Sequence, residues 1–258
     1  MTSVTDPVMN TPPWVRLFRA PNPGPMTLEG TNTWVIPSDD GALVVDPGPD
    51  IAEHLAAVAD TGRVRGVLLT HAHADHAEGL ARFAALTGGA GIVNPEPGER
   101  LIHGDMTITT LATPGHTQDS VSFRVTGAVD GVFTGDTILG RGSTSVLWPD
   151  GDLGDYLDSL RLLAQQGPVV VLPGHGPIRP DCRAAAEEYL AHRLKRLEQV
   201  SAARESGART ARDVVEIVYA DVDRSLWPAA EATVEAQLEY LSSRDGEHNS
   251  PAGRWGTA

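Results

Sequence analysis

Six consecutive residues, His71-Ala72-His73-Ala74-Asp75-His76, place three imidazoles and a carboxylate on one short stretch of chain. They follow Val67-Leu68-Leu69-Thr70, a largely apolar run that reads as a buried strand. Donors crowded in this way need a cation to relieve them, so the segment predicts a metal site at a strand end. Three later segments repeat the pattern of a strand-like run closing in a turn. These are Thr113-Pro114-Gly115-His116-Thr117, Phe133-Thr134-Gly135-Asp136 and Leu172-Pro173-Gly174-His175-Gly176. Glycine or proline before each polar residue permits a sharp turn that aims the side chain. Five of the nine histidines fall in this set. His54, His103, His192 and His248 have no such context and read as surface or ordinary structural residues.

Neutral imidazole and carboxylate suit zinc, and iron or manganese also fit. Five histidines and two aspartates exceed the needs of one tetrahedral ion and match two divalent ions sharing a bridge. One grouping places His71, His73 and His116 on the first ion and Asp75, His76 and His175 on the second, with Asp136 bridging. Each ion then keeps an open position for a shared water, which two metals ~3.5–4 Å apart activate at neutral pH. Asp75 and Asp136 are the expected catalytic carboxylates, orienting that nucleophile, with Asp75 a candidate to receive its proton. Thr31, Asn32, Ser143 and Thr144 are candidates to line a substrate pocket; hydrogen bonding to their own turns is the alternative.

The elements that must position these residues are legible in outline. Strands are expected at Thr33–Ile36, Ala42–Asp46, Arg65–Thr70, Gly91–Val93, Met106–Leu111, Val121–Val125, Gly131–Phe133 and Val169–Leu172. Helical spacing of apolar residues predicts helices over 50–61, 77–87 and 152–165. After Pro180 the composition changes, and three helices are expected at 181–205, about 209–220 and 226–243. The chain therefore divides into a tail at 1–13, a catalytic domain at 14–180, a helical domain at 181–244 and a polar tail at 245–258. Arg193-Leu194-Lys195-Arg196 reads as a solvated helix face, with phosphate contact the alternative. Cys182 reads as inert despite standing near a helix start.

The ordered set His71, His73, Asp75, His76, His116, Asp136 and His175, with gaps of 40, 20 and 39 residues after His76, resembles the ligand set of the metallo-β-lactamase superfamily. The resemblance spans about residues 14–180. It implies an α/β (α+β) fold, a four-layer αββα sandwich with the site at one edge of two packed sheets. It also implies a supporting role behind the metal turn for Asp46. Asp136 stands where true β-lactamases of the fold lack a carboxylate, so antibiotic hydrolysis is not expected. The long insertion of the β-CASP branch is absent.

Within the superfamily the chain is most similar to the β-lactamase-like protein 2 subgroup. That similarity rests on Asn22-Pro23-Gly24, Gly30-Thr31-Asn32-Thr33-Trp34, Thr113 to Ser120 and Gly140-Arg141-Gly142-Ser143-Thr144. It implies a small C-terminal winged-helix-like domain and an association with endoribonuclease activity.

Composition bounds the partners. The formal net charge is −14, and residues 178–258 hold 11 basic against 14 acidic side chains, so tight non-specific nucleic-acid binding is not expected. One cysteine excludes an internal disulfide, and no signal peptide or membrane span is legible, which points to the cytoplasm. Two substrate classes fit: a phosphodiester such as single-stranded RNA, or a small ester or thioester of the glyoxalase II type. A mononuclear iron oxygenase, akin to persulfide dioxygenases, is the alternative class; it would leave His76 and His175 without a metal.

Overall fold

The computed structural model describes residues 11–249, with the backbone alone for 245–249. Two sheets form its centre. The first has strand order β1 (Arg16–Arg19), β2 (Asn32–Ile36), β3 (Ala42–Val45), β4 (Val64–Leu68). The second runs β5 (Arg100–His103), β6 (Met106–Ala112), β7 (Val121–Gly127), β8 (Gly131–Gly135), β9 (Val170–Pro173). Neighbours are antiparallel except β3 with β4 and β8 with β9, which are parallel.

The period of two along each strand sorts side chains into layers. Trp34 and Ile36 of β2 and Phe133 of β8 face a shared core between the sheets, with Leu43, Leu68, Ile108, Phe123 and Leu172. Their neighbours point outward. Val35 and Val44 meet Leu55 and Val58 of α1 (Ala52–Ala59) and Phe83 of α3 (Leu80–Leu86). Val132 and Val171 meet Leu157 and Leu160 of α4 (Leu153–Ala164) and Ala185 of α5 (Cys182–Glu205). Strands covered on both faces are buried at every position, as β2 and β8 are. The result is the expected four-layer αββα sandwich.

A smaller core joins Val200 and Ala203 of α5 to Val214 and Val215 of α6 (Ala211–Val218) and to Trp227, Ala230 and Val234 of α7 (Trp227–Asn249). Side-chain caps define three helix starts: Asp152 accepts from the Asp155 amide, Asp181 from the Ala184 amide, and Thr210 and Asp213 form a reciprocal box. Among the described residues no helix is long and apolar enough to cross a membrane.

Several local expectations are corrected. Gly91–Val93 makes only an isolated parallel bridge, Ile92 to Val67, at the edge of β4. The helix expected over 77–87 is split into α2 (Ala74–Ala77) and α3 because the Gly79 amide bonds to the Gly48 carbonyl, 2.9 Å away. Strands β1 and β5, each four residues at a sheet edge, have no counterpart in the sequence reading. Helix α7 continues to Asn249; residues 1–10 and 250–258 of the expected tails lie outside the described residues.

Tight approach at Gly115 ties α4 to the sandwich. Its φ is +126°, and a Cβ there would lie 2.3 Å from the backbone N and Cα of Tyr156. The Asp152 amide donates to the Gly115 carbonyl (3.0 Å) and Ser159 Oγ to the Pro114 carbonyl (2.7 Å). Gly115→Ala is therefore expected to cost about 2–4 kcal/mol, backbone strain plus overlap. Gly207→Ala is the control: φ is +109° but the space around a Cβ is open, so about 1 kcal/mol is expected. Urea unfolding measures both, and equal losses would remove the steric argument.

Candidate metal centre

The parallel pairs β3/β4 and β8/β9 bring their C-terminal ends to one edge of the sandwich. His71 and His73 follow β4, and Asp75 and His76 lie on the single turn of α2. His116 follows β6, Asp136 directly follows β8, and His175 follows β9. Two glycines allow the ends to converge. A Cβ on Gly135 would meet Thr70 Oγ1 at 2.6 Å, and one on Gly174 would meet Asp136 Oδ1 at 2.5 Å and His76 Cε1 at 2.7 Å.

All seven residues singled out from the sequence meet there. His73 Nδ1 lies 3.1 Å from both His71 Nε2 and His116 Nε2. His175 Nε2 lies 3.3 Å from His76 Nε2 and 3.1 Å from Asp75 Oδ2. Asp136 Oδ2 sits between the two clusters, 3.8 Å from His116 Nε2 and 3.3 Å from His175 Nε2. Three sets could each hold an ion, with donor atoms within 4.8 Å of one another: His71, His73, His116; His71, His76, Asp136; and Asp75, His76, His175. The donors fit a divalent cation on two counts. Facing imidazole nitrogens this close have lone pairs that one shared proton cannot satisfy, and the buried Asp136 Oδ1 accepts no hydrogen bond.

Outer partners fix which ring nitrogen is left for a metal. Asp46, buried at φ 51°, accepts from the Thr70 amide (2.8 Å), Thr70 Oγ1 (2.7 Å) and His76 Nδ1 (2.8 Å). The left-handed region costs about 1–2 kcal/mol for a residue with a Cβ, and three hydrogen bonds hold Asp46 in it. Thr70 spends its only proton on Asp46, so His71 Nδ1, 3.0 Å from Thr70 Oγ1, must donate to that oxygen and leave Nε2 free. His116 Nδ1 donates to the Ser145 carbonyl at 2.8 Å. His73 is reversed: Nδ1 faces the cluster and Nε2 lies 3.3 Å from Asp150 Oδ2.

The pocket candidates divide. Asn32 is wholly buried, and its amide donates to the carbonyls of Pro173 (3.0 Å) and Gly176 (2.9 Å); it holds the His175 turn instead of facing the cavity. Thr31, also buried, donates to Asp75 Oδ2 at 3.2 Å. Ser143 and Thr144 do line a cavity of about 220 Å³ that reaches His116 and Asp136. A second cavity of about 200 Å³ is walled by Met26, Leu147 and Trp148 beside His73, Asp75 and His175. Asp150 and Asp119, whose carboxylate accepts from the Ala72 amide (2.9 Å), were not legible in the sequence. For Asp119 the available signal was its place in the turn that carries His116.

His54 and His103 are buried and bond to the Pro47 and Ile36 carbonyls, as structural histidines do. His192 is exposed, and the His248 side chain lies outside the described residues. Burial pushes the Cys182 thiol up to about 12, which keeps it inert.

Residues 26–108 and 87–175 match the metallo-beta-lactamase superfamily model, and residues 210–255 match the beta-lactamase associated winged helix domain. An atrochrysone carboxyl ACP thioesterase of Aspergillus chevalieri is 35% identical, over 82% of this chain and 75% of that one. A beta-lactamase-like protein 2 homolog of Caenorhabditis elegans is 30% identical, over 89% and 84%. The crystal structure of a beta-lactamase domain protein from Burkholderia ambifaria superimposes with a TM-score of 0.76 at 22% identity, covering 94% of this chain and 91% of that one. The chain belongs to the metallo-β-lactamase superfamily. Within it, the chain is a metal-dependent hydrolase with an associated winged helix, similar to the proteins named beta-lactamase-like protein 2 homolog.

Charge in the metal-free cluster follows from its partners. Burial drives His71 down to about 2, with the neighbouring His76 adding to it, so His71 is neutral. Burial also opposes charge on His175, yet bonds to Asp136 and Asp75 carry it up to about 9. His76 is likewise raised against burial by Asp136 and Asp46. Protons and metal therefore compete for His175 below about pH 9, and the raised His76 competes in the same sense. Zinc affinity is expected to rise from neutral pH toward 9, about tenfold per pH unit for each proton displaced. Calorimetry in buffers of differing ionisation enthalpy counts the released protons; binding with none released at neutral pH would contradict the assignment.

Proposed function

We propose that the protein is a binuclear metallohydrolase that cleaves an acyl thioester or ester. The observation that carries the reading is Asp136 Oδ2 standing between two three-residue donor clusters. His71, His73 and His116 would hold one ion, Asp75, His76 and His175 the other, and Asp136 would touch both. Two divalent ions bound there, zinc being the expected metal, supply Lewis acidity that activates a water and polarises the acceptor oxygen.

The chain's own groups do the rest. Asp75 is the more exposed of the two carboxylates and lines the cavity beside Met26 and Trp148. It is placed to orient the attacking water and take its proton. Thr31 Oγ1 steadies it. The walls of Met26, Leu147 and Trp148 suit an acyl chain. Among the described residues lining the two cavities, Arg141 is the sole arginine or lysine, and it is paired with Glu29. A phosphodiester backbone would find few cationic side chains there to neutralise it. The 35% identity to a protein named as an ACP thioesterase supports the acyl reading. The similarity to proteins named beta-lactamase-like protein 2 homolog, a subgroup associated with endoribonuclease activity, supports single-stranded RNA as the second reading.

A turnover screen with an acyl thioester panel, simple esters, an RNA oligonucleotide and a lactam separates these. Thioester or ester turnover is expected, with two metal ions per chain by elemental analysis. Asp136→Asn and His76→Ala should each lower kcat by about a thousandfold in folded protein. Cleavage of RNA alone would move the assignment to phosphodiesters. One iron per chain with oxygen uptake on a persulfide would replace hydrolysis altogether.

A further inference from the structure

We propose that Arg193 is a positioning residue of the metal centre, fixing the segment whose carbonyl sets the ring orientation of His116. It rests on the reading that His116 is a metal ligand. Arg193 falls in a charged run of α5, between exposed His192 and Leu194, and reads from sequence as solvated. In the fold it is only 4% exposed. Among the described residues no carboxylate pairs with it, unlike Arg179 with Glu188 or Arg212 with Glu231. Its Nε is buried without a hydrogen-bond partner. A buried cation kept in this way is unfavourable as packing alone, since an apolar side chain of similar volume avoids the desolvation.

Its contacts say what it holds. One terminal nitrogen donates to the Thr144 carbonyl and lies 3.4 Å from Ser143 Oγ. The guanidinium lies over the Tyr156 ring, 5.2 Å from its centroid. Tyr156 is the α4 residue packed on Gly115, next to His116. Residues 141–146 need such an anchor, because among the described residues no backbone–backbone hydrogen bond reaches them. Yet Ser145, in that segment, provides the carbonyl 2.8 Å from His116 Nδ1, and Thr144 Oγ1 lies 3.4 Å from the same nitrogen. Losing the acceptor frees the ring to flip or change tautomer, and Nε2 no longer points at the site. The same helix carries Val200 and Ala203 of the C-terminal core, so the helical unit reaches the metal centre through Arg193.

The test uses the full chain with Arg193→Met and Arg193→Lys. Histidine nitrogen NMR of the metal-free proteins reads the His116 tautomer, and calorimetric zinc titration reads each ion's affinity. Wild-type protein should show one His116 form protonated at Nδ1. Both variants should mix forms and lose about tenfold or more in affinity for the ion on His71, His73 and His116, with the ion on Asp75, His76 and His175 unchanged. Lys should recover part of the loss seen with Met. A folded variant that keeps the tautomer and both affinities overturns the proposal, as does equal weakening of both ions, the sign of a general structural defect. Should the Met variant not fold, the Lys variant decides. Uptake of a single ion by wild type would defeat the binuclear reading, while the tautomer measurement would still judge Arg193.

Discussion

The structure depends on holding unlike and like donors face to face. Three imidazole nitrogens meet at 3.1 Å and two more at 3.3 Å, with two carboxylates pressed among them. Left alone, such a cluster would rotate its rings outward or exchange protons until no lone pairs opposed each other. Everything outside the cluster works against that relaxation. Asp46, Thr70 and the Ser145 carbonyl each claim the far nitrogen of a histidine, so the near nitrogen has no choice of direction. A divalent cation then meets donors that need no rearrangement, and its binding energy is not spent on ordering them.

The fold supplies this rigidity through its parallel strand pairs. In most of both sheets neighbours are antiparallel, so successive strand ends alternate between edges. Only where β4 follows β3 and β9 follows β8 in parallel do two adjacent ends face the same way. Those four ends carry Asp46, the His71–His76 turn, Asp136 and His175. Trp34 joins the halves below the site: its ring packs between the sheets and its indole N–H donates to the Pro173 carbonyl, 3.1 Å away, two residues before His175. The apolar core and the polar site therefore share an anchor, and a core defect near Trp34 would be felt in the geometry of the donors.

Legibility in the sequence followed chain distance. The seven donors could be read because each sits in a turn signalled by glycine or proline, or beside another donor. Asp46 could be placed at a strand end, and its supporting role followed from the superfamily resemblance. The apolar runs mark most of the strands, while the four-layer arrangement followed from the superfamily resemblance of the ordered donor set. What escaped was set by partners far along the chain. Asn32 reads as a pocket-lining or turn residue until the Pro173 and Gly176 carbonyls are seen across it. Asp150 has no signal apart from the position of His73. Edge strands β1 and β5 are too short to show a period, and Gly91–Val93 has the composition of a strand but only one neighbour to bridge. Arg193 lies among exposed neighbours, and only the approach of residues 143–145 distinguishes it from them.

Helix α5 changes how the C-terminal unit is to be understood. Its first half contributes Cys182, Ala185, Ala186 and Tyr189 to the core that covers the second sheet. Its last turns contribute Val200 and Ala203 to the core shared with α6 and α7. Tyr189 also reaches the chain just past Asp136, where its hydroxyl lies 3.1 Å from the Leu139 amide. The helical unit is thus continuous with the wall of the site and not an appendage tethered beside it. Helix α7 packs on the same helix, α5, that carries Arg193, so the C-terminal core and the contact to the Thr144 carbonyl beside His116 share one element.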